Sequence, residues 1–205
     1  MSPGKTIGIV GGGQLGRMLT LAALPLGFKV VVVDPGKDSP ASQVGASEIT
    51  ANLYDEAALK QLAEQADYIT VEIEHLDADI LEAIEKSGVP VNPAPATIRL
   101  IQDKFAQKQF FAEAGVPVAP FAELTSYEQG LKQLKLYGGK MLVKTRFGAY
   151  DGRGNMVVSS PAELQKALDF FDGKPLYVEQ FIPFQKELAV MAAQIAALRK
   201  YRQKK

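Results

Sequence analysis

The sequence predicts an α/β protein made of two units, a parallel-sheet unit followed by a smaller α+β unit. Three observations favour this fold class. Short apolar runs alternate with helical patterns over about the first hundred residues, which is typical of βα units on a parallel sheet. A glycine-rich segment at residues 11–16 joins the first apolar run to the first helical pattern. After Gly115-Val116-Pro117, strand-like runs and helices follow a less regular order.

The first unit is predicted over residues 1–98. Gly27 and Gly88 follow two helical patterns, at positions where a left-handed C-cap favours glycine. Prolines at positions 90, 93 and 95 then indicate the end of the unit. The predicted strands cover residues 6–10, 28–33, 68–71 and 89–91, and the predicted helices cover residues 14–24, 56–64 and 78–86.

The second unit is predicted over residues 99–193, and a helical pattern over residues 96–114 leads into it. The predicted strands cover residues 141–145, 155–158 and 176–180, and the predicted helices cover residues 127–136 and 162–171. Residues 194–205 form a divergent basic tail, with five basic side chains in its last seven residues. We expect a solvated tail, with binding to nucleic acid or an acidic surface as the alternative.

The composition is that of an ordinary soluble globular protein. The 23 basic and 23 acidic residues balance, so general nucleic-acid binding is not expected. Without cysteine there are no disulfides, thiolate metal sites or cysteine nucleophiles. The N-terminus lacks the apolar core of a signal peptide, and no apolar run approaches the roughly 20 residues that span a bilayer. These features favour a cytoplasmic protein without a membrane partner.

The first motif that indicates chemistry is Gly11-Gly12-Gly13-Gln14-Leu15-Gly16, which follows a strand and begins a helix. Its glycine spacing, with Asp34 at the end of the next strand, fits a dinucleotide-binding turn. Glycines let the backbone approach an anion, and free N–H groups of a helix N-terminus attract it. The motif leaves open whether a pyrophosphate, a sugar phosphate or no ligand binds.

The second motif runs from Lys144, at the end of an apolar strand, to Asn155. Three glycines within seven residues provide a close-approaching backbone, and Lys144, Arg146 and Arg153 provide positive charge. A nucleoside triphosphate requires both features. The segment therefore predicts a loop that covers ATP phosphates, although it lacks the order of a Walker A loop. The alternative is a hairpin turn whose arginines face water.

Two further segments carry candidate ligand-binding groups. A strand that ends at Glu179-Gln180-Phe181-Ile182, followed by Glu187, offers backbone groups for an adenine edge and a carboxylate for ribose hydroxyls. Glu72 and Glu74 lie with His75 at the end of a predicted parallel strand, where open α/β sheets bind ligands. In both segments, ordinary strand-end and surface positions are the alternative.

Five segments together resemble the ATP-grasp superfamily and, within it, the biotin-independent carboxylases of purine biosynthesis. They are GGGQLGRM at 11–18, TVEIEHL at 70–76, QDKFAQK at 102–108, VKTRFGAYDGRGN at 143–155 and YVEQFIPFQKELAVM at 177–191. The YDGRGN segment with the downstream KELAVM is far more specific than the glycine motif. The resemblance implies a Rossmann-like pre-ATP-grasp domain followed by the small lobe of an ATP-grasp domain.

The reaction implied by the resemblance is an ATP-dependent carboxylation of aminoimidazole ribonucleotide. ATP phosphorylates bicarbonate to carboxyphosphate, and the amino group of the ribonucleotide captures the carboxyl group, leaving ADP and phosphate. Mg²⁺ is the implied cofactor, and a homodimer is the implied assembly. Catalysis would then rest on positioning, charge neutralisation and exclusion of water.

The resemblance also assigns roles to individual residues. Lys104 and Lys144 would contact the ATP phosphates, Glu187 would bind the ribose, and Glu72 or Glu74 would lie near the ribonucleotide. The other implied positions fall into four groups. The loop over the nucleotide comprises Ala149, Tyr150, Asp151, Gly152, Arg153, Gly154 and Asn155; its catalytic members are Tyr150, Asp151 and Arg153; the adenine lining comprises Glu179, Gln180, Phe181 and Ile182; and the ribonucleotide contacts comprise Gly13, Gln14 and Leu15.

The resemblance ends after about Ala193, whereas members of the superfamily continue into a large C-terminal lobe. That lobe supplies their Mg²⁺ ligands and the basic residues for the substrate phosphate, so no metal ligand is assigned here. We expect a C-terminally shortened form that is inactive by itself.

Three other functions are weighed against the carboxylase. An NAD-linked oxidoreductase would use residues 11–16 but leaves the Lys144 loop unexplained. A non-catalytic nucleotide-binding protein and another purine ATP-grasp ligase are the remaining alternatives.

Overall fold

The computed structural model describes residues 3–148 and 154–190, which form two sheets flanked by helices. This architecture confirms the predicted α/β class, with a parallel sheet in the first unit and an antiparallel sheet in the second.

The first sheet is parallel throughout and has the order β3-β2-β1-β4-β5. Chain order reverses direction between the neighbouring strands β1 and β4, and open α/β sheets bind ligands at such a point. The glycine motif follows β1 and Glu72 follows β4, so both lie at this edge. The strands are β1 (Thr6–Val10), β2 (Lys29–Asp34), β3 (Ser47–Thr50), β4 (Tyr68–Val71) and β5 (Val91–Asn92).

Helices cover both faces of this sheet. On one face, α2 (Glu56–Gln65) and α3 (Ala78–Lys86) bury Leu59, Leu62, Leu81 and Ile84 against Val31 and Val33 of β2. Val30 and Val32 point to the opposite face, where α1 (Gln14–Ala23) packs. Successive side chains of β2 point to opposite faces of the sheet, and both faces are buried because helices cover them.

The helical pattern predicted over residues 96–114 is confirmed, and the structure divides it into two helices. They are α4 (Pro95–Gln102) and α5 (Lys104–Glu113). Asp103 interrupts them in an extended conformation, with φ −100° and ψ 98°. Its carboxylate accepts hydrogen bonds from the backbone N–H groups of Phe105 and Ala106, which caps α5.

The second sheet is antiparallel, with the order β6-β9-β7-β8. Its strands are β6 (Phe121–Leu124), β7 (Met141–Thr145), β8 (Asn155–Val158) and β9 (Leu176–Gln180), and its helices are α6 (Tyr127–Leu136) and α7 (Pro161–Phe170). One face forms an apolar core that includes Leu134, Val143 and Leu164. The other face receives α5, whose Phe105 ring lies 5.5 Å from Phe121 and 5.9 Å from Tyr177 between centroids.

The predicted bounds of β1, β4, β7, β8 and β9 are confirmed, as are those of α3 and α6. The predicted strands over residues 28–33 and 89–91 are shifted toward the C-terminus in β2 and β5. The strands β3 and β6 were not predicted. Each has four residues and a mixed pattern, Ser-Glu-Ile-Thr and Phe-Ala-Glu-Leu, so pairing with β2 and β9 fixes their conformation.

Candidate functional site

The glycine motif forms the turn from β1 to α1, and two carboxylates occupy its backbone donors. The Gly12 N–H donates to Asp34 at 2.9 Å. The N–H groups of Gly13 and Leu15 donate to the two oxygens of Glu72 at 2.8 and 2.9 Å. Glu72 therefore caps the N-terminus of α1, which has no cap from a side chain of its own turn.

Close packing around the turn explains why it is rich in glycine. A Cβ at Gly13 would lie 2.6 Å from a Glu72 oxygen, and one at Gly12 would lie 2.6 Å from the Ser39 hydroxyl. A Cβ at Gly16 would lie 2.7 Å from the Gly11 carbonyl oxygen. Internal packing thus accounts for the glycines without a ligand. An incoming pyrophosphate would meet two carboxylates, which disfavours the NAD alternative.

Glu72 and Glu74 lie in different surroundings, because β4 ends at Val71 and its alternation does not continue. Glu74 approaches His75, with 3.4 Å between Glu74 Oε1 and His75 Nε2. The Gln102 side-chain amide donates to the carbonyl oxygens of Glu74 and Leu76 at 2.6 and 2.7 Å. Glu74 is thereby held near the start of the second unit, whereas Glu72 is held at the glycine turn.

A lysine cluster lies on the α5 face of the second sheet, where Lys108 and Lys144 pair with Glu179 and Lys104 lies near Lys144. Lys108 Nζ and Lys144 Nζ lie 3.1 and 3.2 Å from the same oxygen, Glu179 Oε1. The two ammonium groups on Glu179, together with the nearby Lys104, leave an excess of positive charge that the Glu74 carboxylate offsets only in part. This local field suits a polyphosphate.

Protonation states follow from burial and charge within the lysine cluster. Burial lowers the pKa of Lys104, the Lys144 ammonium lowers it further, and the Glu74 carboxylate opposes both. Burial alone would raise the pKa of Glu179, but the Lys144 and Lys108 ammonium groups outweigh it and lower that pKa. Burial, with a smaller contribution from Glu179, raises the pKa of the Tyr177 hydroxyl. Glu179 is therefore ionised and Tyr177 neutral at pH 7.

Arg146, which the sequence indicated as a source of positive charge for a phosphate, pairs with two carboxylates in the structure. Its guanidinium group pairs with Asp103, donating through Nε at 3.1 Å and through a second nitrogen. A third nitrogen donates to Glu123 at 2.8 Å. The Lys104 N–H also donates to the Arg146 carbonyl oxygen at 3.0 Å. Because two carboxylates already neutralise it, Arg146 joins the start of α5 to the second sheet.

The predicted nucleotide loop is described only at its two ends. The Thr145 N–H donates to the Gly154 carbonyl oxygen at 2.9 Å, and Lys144 pairs with Asn155 across the hairpin. Five of its predicted site residues lie outside the described residues: Ala149, Tyr150, Asp151, Gly152 and Arg153.

The predicted adenine segment leaves β9 beside the lysine cluster. Its Gln180 and Phe181 N–H groups donate to the carbonyl oxygens of Pro120 and Lys140 at 2.8 and 3.4 Å. Those two donors are used within the protein, and the Glu179 side chain is held by lysines. Ile182 and Glu187 are exposed. The segment lies beside the lysine cluster, but the N–H groups of Gln180 and Phe181 and the side chain of Glu179 already have partners within the protein.

Sequence reasoning missed Lys108, Asp103 and Tyr177 as members of this region. Lys108 lies four residues after Lys104, so both fall on one face of a helix, and this spacing could have indicated Lys108. Asp103 could have been recognised as a cap residue. Tyr177 has no such local signal.

Residues 3–148 and 154–190 contain neither a metal-binding cluster nor a helix that could span a membrane. In that part of the chain, no group of three or more His, Cys, Asp or Glu side chains is arranged to hold a metal ion. Among the helices described, none is long and apolar enough to cross a membrane.

Comparison with known proteins gives two family matches. Residues 4–102 match the ribonucleotide synthetase preATP-grasp domain, and residues 109–200 match the ATP-grasp domain. A phosphoribosylaminoimidazole carboxylase from Ogataea methanolica is 42% identical, over 91% of this chain and 35% of the relative. An N5-carboxyaminoimidazole ribonucleotide synthase from Staphylococcus epidermidis is 37% identical, over 91% of this chain and 50% of the relative.

Solved structures agree with these matches. N5-carboxyaminoimidazole synthetase from Staphylococcus aureus, complexed with ADP, has a TM-score of 0.83 and 35% identity, over 89% of this chain and 48% of that one. The Aspergillus clavatus synthase, in complex with ADP and 5-aminoimidazole ribonucleotide, has a TM-score of 0.81 and 35% identity, over 90% of this chain and 48% of that one. The chain thus spans about half the length of these bacterial and Aspergillus proteins, and about a third of the yeast carboxylase.

Proposed function

Because this chain belongs to the N5-carboxyaminoimidazole ribonucleotide synthase family of ATP-grasp proteins, we propose that it serves the ATP-dependent carboxylation of 5-aminoimidazole ribonucleotide. The γ-phosphoryl group of ATP passes to a bicarbonate oxygen, which gives ADP and carboxyphosphate. The amino nitrogen of the ribonucleotide then forms a bond to the carboxyl carbon and loses a proton, while phosphate leaves. The lysine cluster around Glu179 is the observation that carries this proposal.

The ATP phosphates are proposed to bind at the lysine cluster. Lys104 on α5 and Lys144 at the end of β7 approach from two elements, and both border the hairpin that contains residues 149–153. The excess positive charge favours binding of a polyphosphate. It also stabilises the negative charge that shifts between phosphate groups during phosphoryl transfer. The proposed adenine lining, Glu179 to Ile182, leaves β9 from the same place, and Glu187 is the proposed ribose ligand.

The ribonucleotide is proposed to bind at the glycine turn, beside Gly13, Gln14 and Leu15. Carboxylates of Asp34 and Glu72 occupy N–H donors of this turn, so it suits a donor-bearing part of the ligand better than its phosphate. The loop residues Tyr150, Asp151 and Arg153 are the proposed catalytic groups. Glu74, whose carboxylate acts on the pKa of Lys104, is proposed to lie closer to the nucleotide than Glu72.

Mg²⁺ is proposed to accompany ATP, as the family resemblance implies. The described residues do not fit a complete metal site, so no ligand and no step are assigned to the ion. A homodimer is likewise proposed from the resemblance alone, and a cytoplasmic location is proposed from the composition.

Calorimetric titration with ATP and Mg²⁺ tests nucleotide binding by the 205-residue chain. We expect ATP to bind and NADH not to bind. Lys144→Met should weaken ATP binding by about tenfold, as loss of one charge-assisted contact predicts, whereas the exposed Lys166→Met should have no effect. Absence of ATP binding would overturn the proposal, and tight binding of NADH would favour the oxidoreductase instead.

The reaction itself is tested by the release of ADP and phosphate. Release that depends on both bicarbonate and aminoimidazole ribonucleotide would support carboxylation by this chain. Such release would refute the expectation that this chain is inactive by itself, whereas ATP binding without release agrees with that expectation.

A further inference from the structure

Two lysines share one oxygen of a buried carboxylate in the second unit. Glu179 is only 6% exposed, and Lys108 Nζ and Lys144 Nζ lie 3.1 and 3.2 Å from its Oε1. Both distances are those of ion pairs, and the two ammonium groups share this one oxygen. The carboxylate is therefore held by charge from two sides, and either ammonium group can stay while the other leaves.

The two lysines approach from different elements. Lys144 lies on β7, opposite Tyr177 of β9, so it is a diagonal neighbour of Glu179 on the same sheet face. Lys108 approaches from α5, and its ammonium group also lies 5.9 Å from the Phe121 ring centroid. Lys144 borders the proposed nucleotide loop, whereas Lys108 lies one helical turn beyond Lys104. Lys144 is thus the partner placed to exchange.

A buried carboxylate that loses its only cation is strongly destabilised. If Lys144 were the sole partner of Glu179, its movement toward a phosphate would leave that charge unpaired. Lys108 removes this penalty, because it remains on the same oxygen.

We propose that Lys108 is a positioning residue that keeps Glu179 paired while Lys144 binds the ATP phosphates. This inference rests on the proposed function for its ligand, and Lys108 itself does not touch the nucleotide. Without Lys108, Glu179 would retain Lys144 and compete with ATP for it.

A double-mutant cycle tests the competition by calorimetric titration with Mg²⁺-ATP. Lys108→Met should raise the dissociation constant by about tenfold. In Lys108→Met/Glu179→Gln, Lys144 is released, so the dissociation constant should fall to within about twofold of the Glu179→Gln value. Lys108→Arg should bind like the wild type, and the exposed Lys166→Met serves as the matched control.

The pairing of Glu179 is tested without nucleotide by thermal unfolding. Lys108→Met and Lys144→Met should each lower Tm slightly, because the other lysine still pairs with Glu179. The double variant should lower Tm by clearly more than the sum of the two. Additive shifts would overturn the inference, because they would mean that the lysines do not substitute for each other.

Failure of the inference differs from failure of the proposed function. If the wild type binds ATP but Lys108→Met binds it equally well, Lys108 has no positioning role and the ATP site stands. If the wild type binds no ATP, the proposed function fails. A dissociation constant of Lys108→Met/Glu179→Gln well above that of Glu179→Gln would also overturn the competition.

Discussion

At the scale of single residues, Glu72 takes the position that an anionic ligand has in a dinucleotide-binding turn. Its two oxygens accept from the N–H groups of Gly13 and Leu15. A carboxylate at a helix N-terminus is favoured by the free donors and by the helix dipole. The N–H donors of Gly12, Gly13 and Leu15 are thus bound within the chain. The turn presents carboxylates at a place where a phosphate was one of the possible ligands.

Replacement of Glu72 by alanine should destabilise the protein. Two backbone donors lose their acceptor, and a lost N-cap costs about 1 kcal/mol. Glu72→Gln should cost less, because the amide oxygen still accepts a hydrogen bond. Urea unfolding measures the change in the free energy of unfolding. Glu74→Ala is the control, and a cost as large as that of Glu72→Ala would contradict the capping role.

Replacement of Gly16 by alanine should also destabilise the protein, although alanine favours helices. The added Cβ would lie 2.7 Å from the Gly11 carbonyl oxygen, which is backbone and cannot rotate away. We expect a loss of about 1–3 kcal/mol by urea unfolding, as for overpacked positions. The exposed Met18→Ala on the same helix should change stability by less than about 0.5 kcal/mol. Equal stability of Gly16→Ala and the wild type would show that the turn relaxes.

At the scale of elements, the placement of α5 decides the site. Asp103 caps this helix and pairs with Arg146, which follows β7 and also pairs with Glu123 of β6. The Arg146 guanidinium group lies 5.1 Å from the Phe105 ring centroid. These contacts fix the first turn of α5 on the sheet, and Lys104 and Lys108 reach the cluster because of it.

The Asp103–Arg146 pair should make stability depend on pH. Burial opposes ionisation of Asp103, but Arg146 and the capping N–H groups outweigh it, so its pKa is lowered on folding. A lowered pKa stabilises the fold above the unfolded value of about 3.9, and this contribution is lost as pH falls through the folded value. Asp103→Asn should therefore cost about 1–3 kcal/mol at pH 7.

The difference between Asp103→Asn and the wild type should shrink below about pH 4, because the carboxylate is protonated first in the unfolded chain and, at lower pH, in the folded protein. Asparagine still caps helices, so this variant isolates the ion pair, whereas Asp103→Ala removes the cap as well. Urea unfolding across pH 2.5 to 7, at roughly half-unit steps, measures the difference. A gap that does not change with pH would show that the ion pair is not its source.

At the scale of the whole molecule, α4 belongs physically to the first unit. Ile98 is buried in the core of that unit. Arg99 pairs with Asp79 and Glu82 of α3, and Gln102 donates to the carbonyl oxygens of Glu74 and Leu76. A domain boundary after residue 98, as predicted from the prolines, would cut this helix. We therefore propose a boundary at Asp103.

Two fragments test this boundary. Residues 1–102 keep the contacts of Arg99 and Gln102 with the first unit, and residues 1–98 lose them. The longer fragment should unfold at a higher urea concentration, and circular dichroism measures the unfolding midpoint. Gln102→Ala in the longer fragment should remove part of the difference. Identical midpoints for the two fragments would place the boundary at residue 98.

The sequence by itself determined the fold class and most element positions, because apolar periodicity and helix caps are local. The strands β1, β4 and β7 to β9 follow from short apolar runs between turn residues. The proposed role of Lys104 and Lys144 as contacts of the ATP phosphates comes from the family resemblance. The short edge strand β3, the break at Asp103 and the strand β6 depend on partners distant in sequence.

Only the tertiary structure decided how the charged side chains pair. It placed Glu72 on the donors of the glycine turn, Arg146 on Asp103 and Glu123, and Lys108 beside Lys144 on Glu179. In each case the partner is distant in sequence. The free energy of a charged side chain depends on which opposite charge lies next to it and on how far it is exposed to solvent. Residue type gives the charge of a side chain, whereas the fold decides whether that charge is available to a ligand.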